Sequence, residues 1–422
     1  MRGLERITAQ KGTKDVLPAE SYRWQHLEGA LRDTVASFGD KEIRLPTFEA
    51  TELFTRGVGE TTDVVGKEMY TFNDKGGRSI TLRPEGTANT VRAILEHGLL
   101  GEALPVRAYY LQSCFRYEKP QSGRLREFHQ LGVEMFGAAA PEADVQVIAT
   151  AAACIRKAGL KKVQLQLNSI GCPNCRPHYN EALKAYFVPH LEELCPTCRE
   201  RYARNPLRLL DCKEKKCSQL AEQAPKIVEY LCPECEAHFQ ALQSYLRKLG
   251  IDFAINPKIV RGLDYYTKTV FEIISSEIGA QGTVCGGGRY DGLVSQLGGP
   301  EMPGIGFGMG IERLLMVMES AGVIIPEPQP LQIFLCTMGQ AAREKAFQLL
   351  GQLRRAGISA DMDHAARSMK AQFKYADKLG AKYTLSIGDN ELEKGKANLK
   401  NMEDGCQVEV SLDEVSSWMH AE

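Results

Sequence analysis

The sequence predicts an α+β chain. A mostly antiparallel sheet domain spans residues 1–325, interrupted by a helical, cysteine-rich module at 171–250, and a small α/β domain follows at 331–422. Three observations lead there. Between 68 and 137 the strand-like runs MYTF, SITL, RAYYLQSCF and FHQLGVEMFG are separated by glycine, proline and charge, as successive antiparallel strands are. Residues 171–250 hold most of the cysteines, several prolines and charged helical stretches, a change of texture that marks an insertion. After IIPEPQP (324–330), whose three prolines stiffen a linker, strands and helices alternate.

Taken in order, residues 21–38 place Trp24, Leu27, Leu31, Val35 and Phe38 at helical spacing, which predicts an amphipathic helix. KEIRL reads as a strand stopped by Pro46, since proline supplies no amide to a ladder. Beyond the four strand-like runs come a helix near 142–158 and a strand VQLQL at 163–167. The module predicts helices over 218–231 and 236–248. DFAIN, TVFEII and TVCGGGRYDG then read as strands, and PGIGFGMGIERLLMVM passes from strand into helix. In the last domain, LQIFLC precedes a helix with Ala346, Leu349, Leu350 and Leu353 on one face. ISADMD, a basic helix at 368–380, AKYTLSI, two further strand-like runs and a short helix complete it.

At 422 residues the chain fits two or three domains. Its 43% hydrophobic and 25% charged residues suit a globular protein with a full core. A net charge of -1 gives no global signal for nucleic acid, although a local basic groove can serve on a neutral protein. No apolar run approaches the ~18 residues of a membrane span. The start, MRGLERITAQKGTKD, lacks the apolar core of a signal peptide, so a cytoplasmic protein is expected. Its 13 cysteines would be reduced there, and clustered thiols would favour metal over disulfides.

Three constellations carry chemistry. TLRPEGT (81–87) is followed by FRYEKPQSGRLREFHQLGVEMFG (115–137), in which guanidinium groups suit phosphate and Phe128 offers a face to a flat base. Glu85 and Glu134 put carboxylates on apolar strands, where an unpaired charge is costly. The bare pattern reads equally well as a hairpin with a solvated charged loop. VRGLDYYTKTVFE (260–272) sets Arg261, Asp264, Tyr265 and Tyr266 between strands; in isolation the tyrosines read as core residues. GGGRYDG (286–292) and GIGFGMGIER (304–313) let backbone approach a ligand, with Arg313 at a strand-to-helix junction. Neither is a P-loop or a dinucleotide fingerprint.

In the order LPTFE, LRPEGT, FRYE, REFHQLGVEMFG, RGLDYYTKTVFE, GGGRYDG and GIGFGMGIERL, these motifs resemble the catalytic domain of class II aminoacyl-tRNA synthetases. The likeness is to the histidine-specific family in particular and covers nearly the whole chain; the last domain resembles that family's anticodon-binding domain. It implies activation of L-histidine with ATP to histidyl-adenylate, release of pyrophosphate, and transfer of histidine to the 3′ end of a histidine-specific tRNA. By this resemblance Arg261 and Arg116 are catalytic, the first at the transition state and the second on the α-phosphate and carboxylate. The histidine pocket comprises Glu85, Thr87, Arg116, Gln130, Glu134, Arg261, Tyr265 and Tyr266. ATP is met by Arg116, Glu118, Arg126, Phe128, Glu312 and Arg313, with Mg²⁺ on the outer phosphates. Pro120 and Gln121 meet the tRNA acceptor end, and Arg367, Lys370, Gln372, Lys374 and Lys378 form a basic face towards the anticodon. A homodimer is implied, with the 21–38 helix and the strand before Pro46 near its interface. Tyr117 departs from the histidine many relatives carry.

The module is the larger departure, because the family's usual insertion manages without cysteines. Cys172 with Cys175, Cys195 with Cys198, Cys212 with Cys217, and Cys232 with Cys235 resemble structural zinc ligands, two pairs making a Cys₄ site. Reduced structural cysteines are the alternative, and which pairs join is left open. Cys114, Cys154, Cys285, Cys336 and Cys406, standing singly, read as core residues. A regulatory paralogue without aminoacylation activity would lack the anticodon-binding domain, and an RNA- or zinc-binding module with a decayed catalytic domain would lose the pocket. Here the last domain is present, with Arg116, Glu134, Arg261, Tyr265, Tyr266 and Arg313.

Overall fold

Two runs of alternating apolar and polar residues, either side of a charged loop, build the middle of the main sheet. The structure, a computed structural model, describes residues 6–59, 62–277 and 282–421. The first five residues of the N-terminal run lie outside them. The chain forms two compact units, Met1–Ile325 and Pro326–Glu422.

In the first unit the strands are β1 (Lys41–Glu42), β2 (Phe48–Ala50), β3 (Tyr70–Asn73), β4 (Ser79–Leu82), β5 (Val106–Phe115), β6 (Glu127–Phe136), β7 (Val163–Ser169), β8 (Phe253–Ile255), β9 (Thr267–Ser275), β10 (Thr283–Arg289) and β11 (Gly304–Gly310). Its α-helices are α1 (Pro18–Ser37), α2 (Thr51–Val58), α3 (Thr87–Glu96), α4 (Pro141–Lys157), α5 (Arg176–Phe187), α6 (Pro196–Arg204), α7 (Lys215–Glu222), α8 (Pro233–Lys248), α9 (Leu293–Gln296) and α10 (Ile311–Ser320). Among the described residues an eight-stranded sheet runs β1-β5-β6-β11-β10-β9-β7-β8. The β1–β5 and β7–β8 pairs are parallel and the other pairs antiparallel.

The MYTF and SITL runs form strands but stand apart, in a three-stranded sheet ordered β2-β4-β3. KEIRL yields only two strand residues; Ile43 still donates to the Tyr109 carbonyl before Pro46 ends the pairing. The helix expected over 218–231 is broken. α7 stops at Glu222 and a 3₁₀ turn spans Ile227–Glu229, with Pro225 between them removing a donor.

One face of the main sheet packs on α1, α4 and α10 through Leu27, Leu31, Ile148, Ala151, Leu131, Val133, Ile305 and Phe307. α4 carries Glu142 and Asp144 in its first turn and Arg156 and Lys157 in its last, matching the helix dipole. Asp144 is fully buried and joins four elements: Arg289 Nε donates to it at 3.0 Å, Thr269 Oγ1 at 2.6 Å, and His238 Nε2 lies 2.8 Å away. Burial opposes its charge, but His238 and Arg289 hold the Asp144 carboxyl below its usual range. A buried ion pair needs such extra hydrogen bonds to offset desolvation. Through His238 on α8, this hub also ties the module to the sheet. The module keeps a separate core of Tyr179, Leu183, Phe187, Leu194, Leu209 and Ile227.

The second unit comprises β12 (Ile333–Thr337), α11 (Gln340–Arg355), β13 (Ala360–Met362), α12 (Met369–Lys378), β14 (Tyr383–Ile387), α13 (Asp389–Lys394), β15 (Lys396–Asn401), β16 (Gln407–Ser411) and α14 (Val415–Ala421). Its sheet runs β13-β12-β14-β15-β16, parallel across the first three strands and antiparallel after them. Ala346, Leu349, Leu350 and Leu353 are buried. Gln372 departs from the expected basic face. It is buried, and its amide accepts from the Thr337 N–H and donates to the Thr337 carbonyl, both at 2.8 Å. Cys406 is exposed in a turn, whereas the other four single cysteines are buried. Among the described residues, no helix is long and apolar enough to cross a membrane.

Candidate active site

Side chains alternate across a strand, so β6 turns Leu131, Val133 and Met135 towards the helices and Gln130, Gly132 and Glu134 to the opposite face. Register then lines up two rows across five strands. One reads Tyr110, Gly132, Gly308, Gly286, Glu272; the next reads Ala108, Glu134, Gly306, Gly288, Val270. The glycines leave a floor on which larger groups lie flat. A Cβ on Gly306 would sit 1.8 Å from Glu134 Oε2, one on Gly308 2.3 Å from Gln130 Nε2, and one on Gly132 2.0 Å from the Tyr110 ring. One on Gly286 would sit 2.4 Å from Arg261 Nη1.

Glu134 is 1% exposed and ringed by hydroxyls. Thr87 Oγ1 donates to its Oε1 at 2.8 Å and the Tyr110 hydroxyl at 3.2 Å, while the Tyr290 hydroxyl donates to Oε2. Burial pushes the Glu134 carboxyl up to about 8, against the pull of the Tyr290 and Thr87 hydrogen bonds. Glu85, also buried, accepts the N–H groups of Thr87 (2.6 Å) and Ala88 (2.9 Å) at the start of α3. Burial raises its pKa too, though those N–H groups oppose the shift. Tyr265 and Tyr266 pack at 4.7 Å between ring centroids, and Tyr265 meets Tyr290 at 5.6 Å. Burial raises both tyrosines of the pair, so their hydroxyls stay protonated at neutral pH.

Arg261 holds a left-handed φ of 37°. It pairs with Glu272, which also accepts from Thr283 Oγ1 at 3.1 Å. Burial opposes the charge, but Glu272 and Tyr266 more than offset it and keep Arg261 ionised. Its Nε is buried without a hydrogen-bond partner among the described residues. Arg116 anchors Nε on the Pro84 carbonyl at 2.8 Å, and its guanidinium lies 5.2 Å from the Phe128 ring centroid.

The other residues expected at the nucleotide are held by one another. Arg124 Nη1 donates to Glu118 at 2.9 Å, and Arg126 donates to the Glu118 carbonyl at 3.2 Å while lying over Tyr117 at 4.0 Å. Glu312, at the start of α10, accepts the His129 N–H at 2.9 Å and meets its ring at Nδ1. That contact raises the pKa of His129, against the effect of burial. Arg313 bridges the carbonyls of Thr283 (2.8 Å) and Gly123 (3.3 Å). Pro120 and Gln121 lie outside the pocket, in a turn closed by hydrogen bonds between Gln121 and Arg124.

Sequence reasoning missed Tyr110, Tyr290 and Gln112. Tyr290 sits inside GGGRYDG, where the glycines drew the eye; Tyr110 differs from Tyr109 only in facing the other way. Gln112, directly across from Gln130, is buried with neither side-chain amide atom hydrogen-bonded among the described residues.

The eight clustered cysteines resolve into two quartets. Cys172, Cys175, Cys232 and Cys235 form one and Cys195, Cys198, Cys212 and Cys217 the other, with all sulfurs of each group within 4.8 Å of one another. Sγ–Sγ separations of 3.6 Å (Cys172–Cys175) and 3.9 Å (Cys172–Cys232 and Cys195–Cys212) match a tetrahedron. Metal–sulfur bonds of about 2.3 Å place tetrahedral sulfurs about 3.8 Å apart. The Cys232 N–H points at Cys175 Sγ (3.1 Å) and the Cys195 N–H at Cys217 Sγ (3.2 Å), as in thiolate knuckles.

A family model described as histidyl-tRNA synthetase matches residues 12–314, and one described as an anticodon binding domain matches 332–422. A curated histidine–tRNA ligase of Caldanaerobacter subterraneus subsp. tengcongensis is 55% identical over 407 residues, covering 96% of this chain and 98% of its own. That of a Thermoanaerobacter species is 55% identical over 407 residues, covering 96% and 97%. Among solved structures, apo S. aureus histidyl-tRNA synthetase superposes with a TM-score of 0.83 at 41% identity, covering 98% of this chain and 100% of its own.

The Glu134 pKa of about 8 lies above the ordinary 4.5, so the folded protein binds that proton more tightly than the unfolded chain does. The resulting stability is full below the unfolded value and is lost as pH rises through the folded one. Glu134→Gln cannot ionise. Thermal melts of ligand-free protein should therefore show the variant gaining on the unsubstituted protein between about pH 5 and about pH 8.5. A difference that stays constant over that range contradicts the shift.

Proposed function

The chain belongs to the histidyl-tRNA synthetase family, and from that premise we propose how its own residues carry the reaction. It activates L-histidine with ATP to histidyl-adenylate, releases pyrophosphate and esterifies histidine to the 3′ end of its tRNA, as a class II histidine–tRNA ligase. The observation that carries the substrate assignment is the buried Glu134 carboxyl ringed by hydroxyls. That carboxyl is largely protonated at neutral pH in the ligand-free protein and ionises as histidine binds; the carboxylate then offers about four acceptor sites. Three are filled, and the fourth takes the N–H of an imidazole. A tyrosine hydroxyl of the Tyr265–Tyr266 pair donates to the other ring nitrogen, so both sides of the ring are read. Gln130 lies beside Glu134 on the glycine floor, and Glu85 with Thr87 fixes the wall at the start of α3. A pocket that hydrogen-bonds its substrate on two sides rejects analogues lacking those groups by large factors.

In the chemical step a histidine carboxylate oxygen attacks the α-phosphorus and pyrophosphate departs. Charge develops on the α-phosphate oxygens, where fixed cations contribute most. Arg261, held charged by Glu272, faces that group from the loop before β9, over Gly286 of β10, and Arg116 binds both the α-phosphate and the incoming carboxylate. Phe128 stacks on adenine, Arg313 covers its other side, and Glu118 and Arg126 border it; Glu312 acts by fixing β6 through His129. Mg²⁺, where bound, would supply charge neutralisation at the outer phosphates. Glu118, Glu272 and Glu312 are already hydrogen-bonded, which suits an ion carried in mainly by phosphate and water. Residues 1–325 serve as the catalytic domain with the 171–250 module inserted, and 331–422 as the anticodon-binding domain. Pro120 and Gln121 meet the acceptor end, and Arg367, Lys370, Lys374 and Lys378 meet the anticodon loop. The enzyme works as a cytoplasmic homodimer.

Each cysteine quartet would hold one structural zinc ion, a reading supported by the sulfur spacing and the N–H groups aimed at Cys175 and Cys217. Bound there, zinc would supply a structural crosslink between the four thiolates.

Exchange of labelled pyrophosphate into ATP, assayed with each of the twenty amino acids, should occur with histidine alone. Folded protein giving no exchange with histidine overturns the assignment. Elemental analysis of protein purified without added metal should return two zinc ions per chain, one per quartet; a value well below one defeats the zinc reading.

A further inference from the structure

Residues 261–268 carry Arg261, Tyr265 and Tyr266, and their backbone is left-handed at both ends: φ is 37° at Arg261 and 48° at Lys268. Neither residue is glycine. Side chains with a Cβ avoid this region unless the surroundings enforce it. Each strained end is gripped by residues that stand next to a cysteine quartet.

At the first end, Arg208 Nη1 donates to the Arg261 carbonyl at 2.6 Å, and Asn205 Nδ2 donates to Asp264 Oδ1 at 3.0 Å. Both belong to the stretch between Cys198 and Cys212, two ligands of one quartet. That stretch also reaches the catalytic unit through Arg201, whose Nη2 donates to Asp63 at 2.8 Å. At the other end, the Lys268 N–H donates to the Gly171 carbonyl at 2.9 Å and the Ile170 N–H donates to the Lys268 carbonyl at 2.8 Å. Arg176 donates to the Tyr266 carbonyl. Gly171 and Arg176 flank Cys172 and Cys175 of the other quartet.

We propose that the two quartets are anchors that hold the 261–268 loop in its strained, working conformation, which makes Arg208 a positioning residue for the adenylation step. The inference rests on the zinc and Arg261 assignments above. Arg208 acts at one remove: its hydrogen bond fixes the Arg261 peptide, and with it the direction from which the guanidinium meets the α-phosphate. A metal-closed link between Cys198 and Cys212 fixes where Arg208 stands. The module therefore sets the rate of a step whose reacting atoms it does not touch.

The test is a double-mutant cycle on the full chain, read by single-turnover histidyl-adenylate formation, with histidine affinity, melting temperature and zinc content measured on every variant. Arg208→Ala should slow adenylation roughly 100-fold, the scale of an ångström-sized misplacement. Histidine affinity and zinc content should stay near those of the unsubstituted protein, and Arg208→Lys should recover part of the rate. In an Arg261→Ala background the same Arg208 change should cost less than about threefold, because the route through the Arg261 guanidinium is gone. Cys212→Ser should lower zinc to about one per chain and show the same loss of effect behind Arg261→Ala. An equal loss in both backgrounds, or no loss at all, overturns the anchoring role. Arg261→Ala with undiminished adenylation, or zinc missing from the unsubstituted protein, overturns the assignments beneath it instead. The Arg208 arm stands on its own if Cys212→Ser fails to fold.

Discussion

Everything at the site depends on missing side chains. A sheet face normally fills with Cβ groups, yet Gly132, Gly306, Gly308, Gly286 and Gly288 occupy a continuous patch across three strands. Over this patch lie Tyr110, Gln130, Glu134 and Arg261, each at a distance that any β-carbon would violate. Glycine weakens strands because it gives up more backbone freedom on folding. The cost falls in the middle of the sheet, where β6, β10 and β11 each have hydrogen-bonded neighbours on both sides. Room for a polar pocket is thus obtained by thinning the floor, not by opening a gap between elements.

That floor decides how charges behave. Glu134 and Asp144 are both buried carboxyls on opposite faces of one sheet, and their surroundings push them apart. Among the described residues Glu134 accepts hydrogen bonds from hydroxyls alone, so burial dominates and its pKa rises to about 8. Asp144 meets Arg289 and His238, which outweigh burial and keep it ionised. The first is a poised binding group; the second is a fixed joint between the module helix α8, α4 and the sheet. Charge partners and hydroxyl partners separate the two roles.

The ordered motifs made the fold class and the reaction legible, because glycine runs, paired arginines and buried carboxylates stand at fixed places along the chain. Their physical meaning was less legible. GGGRYDG and GIGFGMGIER read as places where backbone meets a ligand; three of their glycines, Gly286, Gly306 and Gly308, also make room for the side chains of Arg261, Glu134 and Gln130. Tyr110 and Tyr290 complete the ring around Glu134 but carry no linear signal; only strand register brings them to it. Spacing marked the eight clustered cysteines as ligands and left their pairing open, since closure of each quartet is set by the helices between them. Gln372 shows the opposite failure: a polar residue on a basic helix turned inward to pair with Thr337. The 218–231 helix failed at Pro225, where helical periodicity outvoted the missing donor.

Gly308 offers the most direct test of the glycine floor, because the nearest atoms a β-carbon there would meet belong to the flexible Gln130 amide. The measurement is the calorimetric affinity of Gly308→Ala for histidine, with its melting temperature as the control for folding. The account predicts a protein that melts like the unsubstituted one and binds histidine at least about tenfold more weakly, the scale of one lost polar contact in a selective pocket. Unchanged affinity in the folded variant would contradict it.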